Sequence, residues 1–104
     1  MSSGTEYALD LSDEAKNDIR LILRKTGEKW GEKQIPIYED KLDNALQTVL
    51  RHPAIGHTGS RRLKAYRSYP VGSHVVYYRT LGNTVRVDRI LHKRMSPAKH
   101  LQQV

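Results

Sequence analysis

The chain has 104 residues, which suits one domain with a modest hydrophobic core, and we expect that domain to span residues 1–104. Cysteine is absent, which excludes disulfides, thiol nucleophiles and thiolate metal sites. We expect no cofactor and no metal ion. We also expect no membrane segment, because no apolar run approaches the ~20 residues of a membrane span. These features favour a cytoplasmic protein.

The net charge of +7 is distributed unevenly along the chain. Residues 1–50 carry seven Lys or Arg and ten Asp or Glu, a balance of −3. Residues 51–104 carry eleven Lys or Arg and one acid, Asp88, a balance of +10. A basic half in one small domain favours a polyanionic or acidic partner. Charge alone does not distinguish a nucleic acid from an acidic protein.

The first half of the chain predicts a strand followed by a helix. Residues 6–11 alternate weakly between polar and apolar, as in a strand. Ser12 is a good N-cap, and apolar residues then recur at helical spacing up to Trp30, before Gly31. We expect Trp30 to cover both helix ends as a core residue, so that Trp30→Ala destabilises the fold by about 3–5 kcal/mol.

A second helix is predicted from about residues 32–34 to His52, where Pro53 follows. Pro36 is tolerated only near its first turn. The short connection at Gly31 makes the two helices an antiparallel hairpin. His52 is interpreted as a helix-end residue.

The second half predicts strands after a loop at residues 53–60. Residues 63–69, 73–80 and 84–92 are rich in Val, Tyr and Ile, and turns at 70–72 and 81–83 connect them as antiparallel hairpins. Residues 96–101 add a short helical turn. The chain is therefore predicted to be an α+β domain, in which an N-terminal strand and an antiparallel helical hairpin pack on one face of a mainly antiparallel C-terminal sheet.

Arg89 is in phase with apolar residues of the last predicted strand. Strict alternation places Arg89 with Val85 and Val87, and places Asp88 with His92 on the other face, unless a bulge intervenes. Arg89 then either pairs with an acid, such as one on the first helix, or lines a concave site. Both alternatives stay open.

Residues that carry chemistry are few. Metal-free RNA cleavage needs a proton acceptor, a proton donor and cations for the phosphorane. A nuclease would use His92 with Arg89, Arg67 and Arg79, but the basic half offers only Asp88 as a nearby carboxylate. His74 is interpreted as a packed or hydrogen-bonded histidine, and one of Tyr77 and Tyr78 as a core residue. Cations gathered at the end of the last strand instead predict a target-binding segment, formed by Arg89, His92, Lys93, Arg94 and Met95.

The basic side chains on the neighbouring strands predict the binding of an acidic peptide that folds into apolar grooves beside the hairpin and the sheet. Its predicted contacts are Arg62, Lys64, Arg67 and Arg79.

From Tyr7 to about Leu101 the chain resembles the RelE/ParE toxins. The matching residues occur in order along the chain: Ala15, Asp18-Ile19, Trp30-Gly31, Tyr38, Leu42, Leu46, His52-Pro53-x-x-Gly56, Tyr66-Arg67, Gly72-Ser73-His74, Tyr78-Arg79 and Val87 to Met95. The last string, which ends in Arg-Ile-Leu-His-Lys-Arg-Met, resembles the ParE branch.

The resemblance implies a toxin of a type II toxin–antitoxin pair that poisons DNA gyrase without catalysis. It also implies a ParD-like antitoxin that wraps the toxin and through which alone the pair contacts operator DNA. The alternative is a RelE-like, ribosome-dependent mRNA endoribonuclease.

Overall fold

The computed structural model describes residues 6–59 and 63–101. Its helices are α1 (Asp13–Trp30), α2 (Gln34–Arg51) and α3 (Pro97–His100), and its strands are β1 (Ala8–Leu11), β2 (His57–Thr58), β3 (Arg67–Val71), β4 (His74–Leu81) and β5 (Thr84–His92). The five strands form one sheet in the order β1-β5-β4-β3-β2. β1 runs parallel to β5, and the other neighbouring strands are antiparallel. The predicted α+β architecture is confirmed.

The helical hairpin begins and ends where its capping residues require. The Ser12 side chain accepts a hydrogen bond from the Ala15 amide at 2.9 Å, which satisfies one free amide of the first turn of α1. α1 ends before Gly31, whose φ of 97° lies in the region that favours glycine. α2 begins at Gln34, so Pro36 lies in its first turn, and it ends before His52. The predicted helix bounds are confirmed.

The hydrophobic core lies between the helical hairpin and one face of β4 and β5. α1 contributes Ala15 and Ile22 to it, and the remaining buried residues are Leu42, Leu46 and Val49 of α2, Val76 and Tyr78 of β4, and Val85, Val87 and Ile90 of β5. Tyr77 points to the opposite face and packs against a smaller cluster of Leu63, Tyr66 and Leu101. Of the two adjacent tyrosines, Tyr78 is therefore the core residue. None of the helices in residues 6–59 and 63–101 is long and apolar enough to cross a bilayer.

The predicted core role of Trp30 is wrong, because 67% of its surface is exposed. Trp30 is the last residue of α1, and the connection at Gly31 leaves the indole outside the contact between the two helices. Apolar periodicity identified the stripe but could not show that its last member lies beyond the packed interface.

The strand predictions need correction around β3. Leu63 and Tyr66 are buried, but they lie in a turn, and β3 begins only at Arg67. Pro70 and Val71, predicted as turn residues, belong to β3, where Pro70 pairs with Val75. The predicted loop at 53–60 contains the short edge strand β2. Apolar content alone does not distinguish a buried turn from a strand.

A β-bulge in β5 overturns the simple alternation predicted for this strand. Val87 lies opposite Tyr78 and Arg89 lies opposite Tyr77, which leaves Asp88 as the extra residue. Ile90 consequently joins Val87 in the core, and Asp88 does not share a face with His92 as predicted.

Candidate functional site

An open groove of about 670 Å³ lies between α1, α2 and the adjoining ends of β4 and β5. Its lining includes Ile22 and Ile90, which are buried core residues. The structure describes six large apolar side chains that are exposed, and four of these line this groove: Leu21, Trp30, Ile37 and Met95. Exposed apolar side chains gathered in one concavity mark a binding surface for another macromolecule.

The rim of the groove is basic. Lys25 and Lys29 of α1 and Lys41 of α2 line it, and all three are exposed. Among the described lining residues, Asp18 is the one carboxylate, and Arg89 binds it. The groove therefore combines apolar walls with uncompensated positive charge, which suits an amphipathic segment carrying acids.

Asp18 and Arg89 form a largely buried ion pair at one end of the groove. The two carboxylate oxygens accept from Nε and Nη2 of Arg89 at 2.8 and 3.0 Å. Asp18 Oδ2 also accepts from the Ile90 amide at 2.9 Å. This pairing raises the pKa of Arg89 further, so the guanidinium stays charged. Both alternatives predicted for Arg89 hold, since it pairs with an acid of the first helix and also lines a concave site.

Two histidines face the same groove. His74 Nδ1 lies 2.6 Å from the hydroxyl of Tyr38, which also accepts from the Ser73 amide at 3.1 Å. The His74 ring meets the His92 ring edge to face, at 5.4 Å between centroids. Burial lowers the pKa of His74, and the neighbouring His92 lowers it further, against a smaller opposite effect of Asp18. The prediction that His74 is packed and hydrogen-bonded is confirmed.

A tight turn after β5 presents the predicted target-binding segment. His92 Nδ1 accepts from the Arg94 amide at 3.1 Å, and the His92 carbonyl accepts from the Met95 amide at 2.9 Å. The turn directs Met95 to the groove, while Lys93 and Arg94 are exposed outside its lining. Arg89, His92 and Met95 of the predicted segment are therefore groove residues.

The other predicted basic residues lie away from the groove lining. Arg67 donates to the carbonyls of Ala54 and Gly56. Arg79 pairs with Asp88 at 2.7 Å, and its guanidinium lies over the ring of Tyr66. Lys64 is exposed and is also outside the groove, and Arg62 lies outside the described residues. Of the four residues named for a nuclease, only His92 and Arg89 come together in the groove.

Sequence reasoning missed the lysine rim because it sought cations in the basic half of the chain. Lys25, Lys29 and Lys41 all belong to the half with a net negative charge. A signal was available, since Leu21, Lys25 and Lys29 recur at intervals of four on one helix face.

Solved structures with a similar fold include chains of bacterial toxin–antitoxin systems. A chain from the chromosomal ParDE toxin–antitoxin system of P. aeruginosa aligns with a TM-score of 0.75 and 12% identity, over 86% of this chain and 98% of that chain. The structure of YafQ from E. coli aligns with a TM-score of 0.57 and 16% identity, over 84% and 93% of the two chains. The hairpin-on-sheet architecture is therefore that of the RelE/ParE-fold toxins.

Sequence comparison resolves the branch. Residues 9–97 match the family described as the ParE toxin of the type II toxin–antitoxin system parDE. The chain is 34% identical over 91 residues to Toxin ParE1 of Caulobacter vibrioides, covering 88% of this chain and 94% of the relative. It is 33% identical over 92 residues to Toxin ParE1 of Mycobacterium tuberculosis, with the same coverage. The chain belongs to the ParE family of type II toxins.

Proposed function

We propose that this toxin arrests growth by binding DNA gyrase and blocking replication, and that it does so without cutting a bond. The observation that carries the proposal is the ParE match over residues 9–97, in a fold that contains an apolar groove with a basic rim. Such a surface recognises a protein through buried apolar anchors and charge complementarity.

The chemistry of the described groove residues supports binding over cleavage. The one carboxylate of the lining, Asp18, is occupied by Arg89 and the Ile90 amide. The Asp88 carboxylate is held by Arg79 and Arg86, away from His92. His92 Nδ1 is engaged by the Arg94 amide. General acid–base catalysis needs two groups poised on the reacting atoms, and both of these carboxylates are already held by arginines.

The second candidate is a metal-independent mRNA endoribonuclease, and the His74–His92 pair is the observation that favours it. Two imidazoles 5.4 Å apart in one groove could divide the roles of general acid and base. Solved chains of the same fold include YafQ and a YafQ mutant in which glutamine replaces a histidine. The fold alone does not carry that chemistry to this chain.

Two variants separate the candidates. His92→Gln keeps hydrogen-bonding capacity and removes a titratable group, so a gyrase-binding toxin should remain toxic. A nuclease should lose about 10²–10⁴-fold in cleavage rate. Arg94→Ala should weaken gyrase inhibition, whereas Arg51→Ala, which removes an exposed arginine at the end of α2, should not. The measurements are inhibition of gyrase supercoiling and cleavage of translating mRNA by each purified variant.

If only the parent cuts mRNA, and if a folded His92→Gln variant is no longer toxic, the protein is a nuclease and the gyrase proposal is rejected.

We further propose a ParD-like antitoxin as the partner that neutralises this toxin, with operator DNA bound through the antitoxin. The groove supports a protein partner of acidic and amphipathic character, because apolar walls and a lysine rim complement such a segment. Co-expression with the gene adjacent to that of the toxin, followed by co-purification, tests the pairing. A stable and harmless monomer with no affinity for that gene product would contradict it.

A further inference from the structure

The two faces of the sheet carry positive charge in different settings. On the hairpin side, the lysines of the groove rim adjoin exposed apolar side chains. The other side, to which Tyr77 points, is the outer face of the sheet, and residues 63–66 and 97–101 cover it. The large apolar side chains of these two segments pack against Tyr77 and are only 7%, 3% and 5% exposed: Leu63, Tyr66 and Leu101. The covering segments therefore turn their apolar side chains inward.

The covering segments present positive charge to the solvent. Lys64 of the first segment and Lys99 of the second are both exposed. Lys93 and Arg94, in the turn that leads from β5 to the second segment, are exposed as well. None of these four outer-face cations pairs with a carboxylate of residues 6–59 and 63–101. The acid of the basic half, Asp88, is already held by two arginines.

The backbone that carries these cations is tied to the sheet. The Lys93 amide donates to the Ser73 carbonyl at 2.9 Å, which fixes the start of the turn after β5. Nη1 of Arg89 lies 3.4 Å from the His100 carbonyl, so the chain turns at residues 93–96 and returns beside β5. The outer-face cations are therefore held on an ordered backbone.

Uncompensated cations without exposed apolar anchors are typical of a surface that binds a nucleic-acid backbone. A protein interface gains most of its binding energy from buried aromatic and apolar anchors, and the covering segments bury theirs against the sheet. Lys and Arg bind the phosphates of a nucleic acid without such anchors, because their binding releases condensed counterions. The charge of the sequence suits either an acidic protein or a nucleic acid. The two faces of the sheet divide these roles, since only the hairpin side adds apolar walls to its cations.

We infer that the outer-face cations bind the phosphate backbone of duplex DNA, so that the toxin contacts protein through its groove and DNA through its outer face. The choice of duplex DNA rests on the proposed function, since DNA is the substrate of gyrase. Phosphate contacts carry no sequence information, so recognition of the operator stays with the antitoxin. Lys64, predicted from the sequence as a contact of an acidic peptide, belongs to this DNA-binding surface.

Two double substitutions that remove equal charge from opposite sides of the molecule provide the test. Lys64→Gln/Lys99→Gln changes the outer face and leaves segment 89–95 and the groove lining intact. Lys16→Gln/Lys33→Gln, the control, removes two exposed lysines of the helical hairpin that also lie outside the groove lining. Fluorescence anisotropy measures the binding of each purified toxin to a DNA duplex of about 20 base pairs, between about 50 and 200 mM salt.

The parent should bind this duplex more weakly as salt rises, because each phosphate contact contributes about 0.9 to the slope of log affinity against log salt. The outer-face double variant should lower the magnitude of that slope by about two and weaken binding about 3–10-fold at the lowest salt. The hairpin double variant should keep the slope of the parent.

Three results would overturn the inference. Equal losses in the two double variants would show that net charge acts without a defined surface. A parent that does not bind the duplex at the lowest salt would remove the outer face as a DNA-binding site. Binding of an RNA duplex about tenfold or more tightly than DNA would assign the surface to RNA. The assay contains no gyrase, so a parent that binds DNA in the expected way and yet does not inhibit supercoiling rejects the gyrase proposal alone.

Discussion

Asp18 and Arg89, 71 positions apart, join α1 to β5 at the point where β1 has ended. Leu11 is the last residue of β1 paired with β5, opposite Val87. Beyond it, the Ser12 hydroxyl donates to the Asp88 carbonyl at 2.7 Å, and the Asp18 carboxylate accepts from the Ile90 amide. Two side chains at the start of the helical hairpin, Ser12 and Asp18, therefore continue the hydrogen bonding of the strand edge past the bulge.

We expect Asp18→Ala to destabilise the protein by about 3 kcal/mol, because it leaves the partly buried guanidinium of Arg89 and the Ile90 amide without their acceptor. Glu28→Ala is the control, since it breaks an ion pair whose side chains are both 68% exposed, and it should cost less than about 0.5 kcal/mol. Urea unfolding of the three proteins measures the difference. Similar midpoints for the two variants would show that the Asp18 pair contributes little.

Because of these contacts, an Arg89→Ala substitution would affect toxicity in two ways, through target binding and through folding. Lost toxicity in that variant reports on target binding only if its unfolding midpoint matches the parent, because Arg89 also ties α1 to β5. Arg94 is exposed, so Arg94→Ala tests the proposed target-binding segment without this complication.

Two glycines with the same backbone conformation should respond differently to alanine. Gly72 and Gly82 have φ of 56° and 58°, so each substitution incurs a left-handed penalty of about 1–2 kcal/mol. A Cβ at Gly72 would lie 2.6 Å from the Tyr38 hydroxyl, whereas a Cβ at Gly82 meets nothing within 4 Å. Gly72→Ala should also disturb the Tyr38 bonds to Ser73 and His74. We expect it to be the more destabilising by about 1 kcal/mol or more in urea unfolding. Equal losses would mean that Tyr38 moves aside freely.

The sequence was sufficient where local chemistry decides the structure. Ser12 and Gly31 bound α1, and His52-Pro53 ends α2, because capping and proline geometry act within a few residues. The last strand was predicted with its observed bounds because its Val and Ile content is high. The packing of the helical hairpin on one face of the sheet followed from the order of these elements along the chain.

Prediction from the sequence failed where the structure depends on contacts between residues that are distant along the chain. The exposure of Trp30 depends on where α2 crosses α1, and the bulge at Asp88 depends on pairing with β4. The residues that line the groove were predicted only in part for the same reason. Segment 89–95 is contiguous and visible in the sequence, whereas the lysine rim forms only when α1 and α2 pack together.

The affinity for the antitoxin should depend on where a charge lies on the toxin and not only on the net charge of the toxin. Lys25→Glu and Lys16→Glu change the net charge equally, but only Lys25 lines the groove. We expect Lys25→Glu to weaken antitoxin binding about 3–10-fold at low salt, with the loss shrinking as salt screens the interaction. Lys16→Glu should have little effect. Titration calorimetry at two salt concentrations measures both, and equal effects of the two substitutions would reject an acidic ligand in the groove.

His74 should make folding stability depend on pH in a defined direction. Its pKa is lowered from the ordinary 6.5, first by burial and then by His92, so the folded protein holds it neutral more firmly than the unfolded chain does. As pH falls below 6.5, the unfolded chain takes up a proton that the folded state resists, and stability is lost until the folded pKa is passed. His74→Gln keeps a hydrogen-bonding group near Tyr38 and removes the titration. The free energy of unfolding of the parent should therefore fall relative to the variant between pH 7 and about pH 5, while titrating groups that do not interact with His74 cancel in the difference. Urea unfolding across this range measures it. A difference that stays constant with pH would show that His74 titrates alike in both states, and a parent that gains stability on acidification would show that Asp18 outweighs burial and His92.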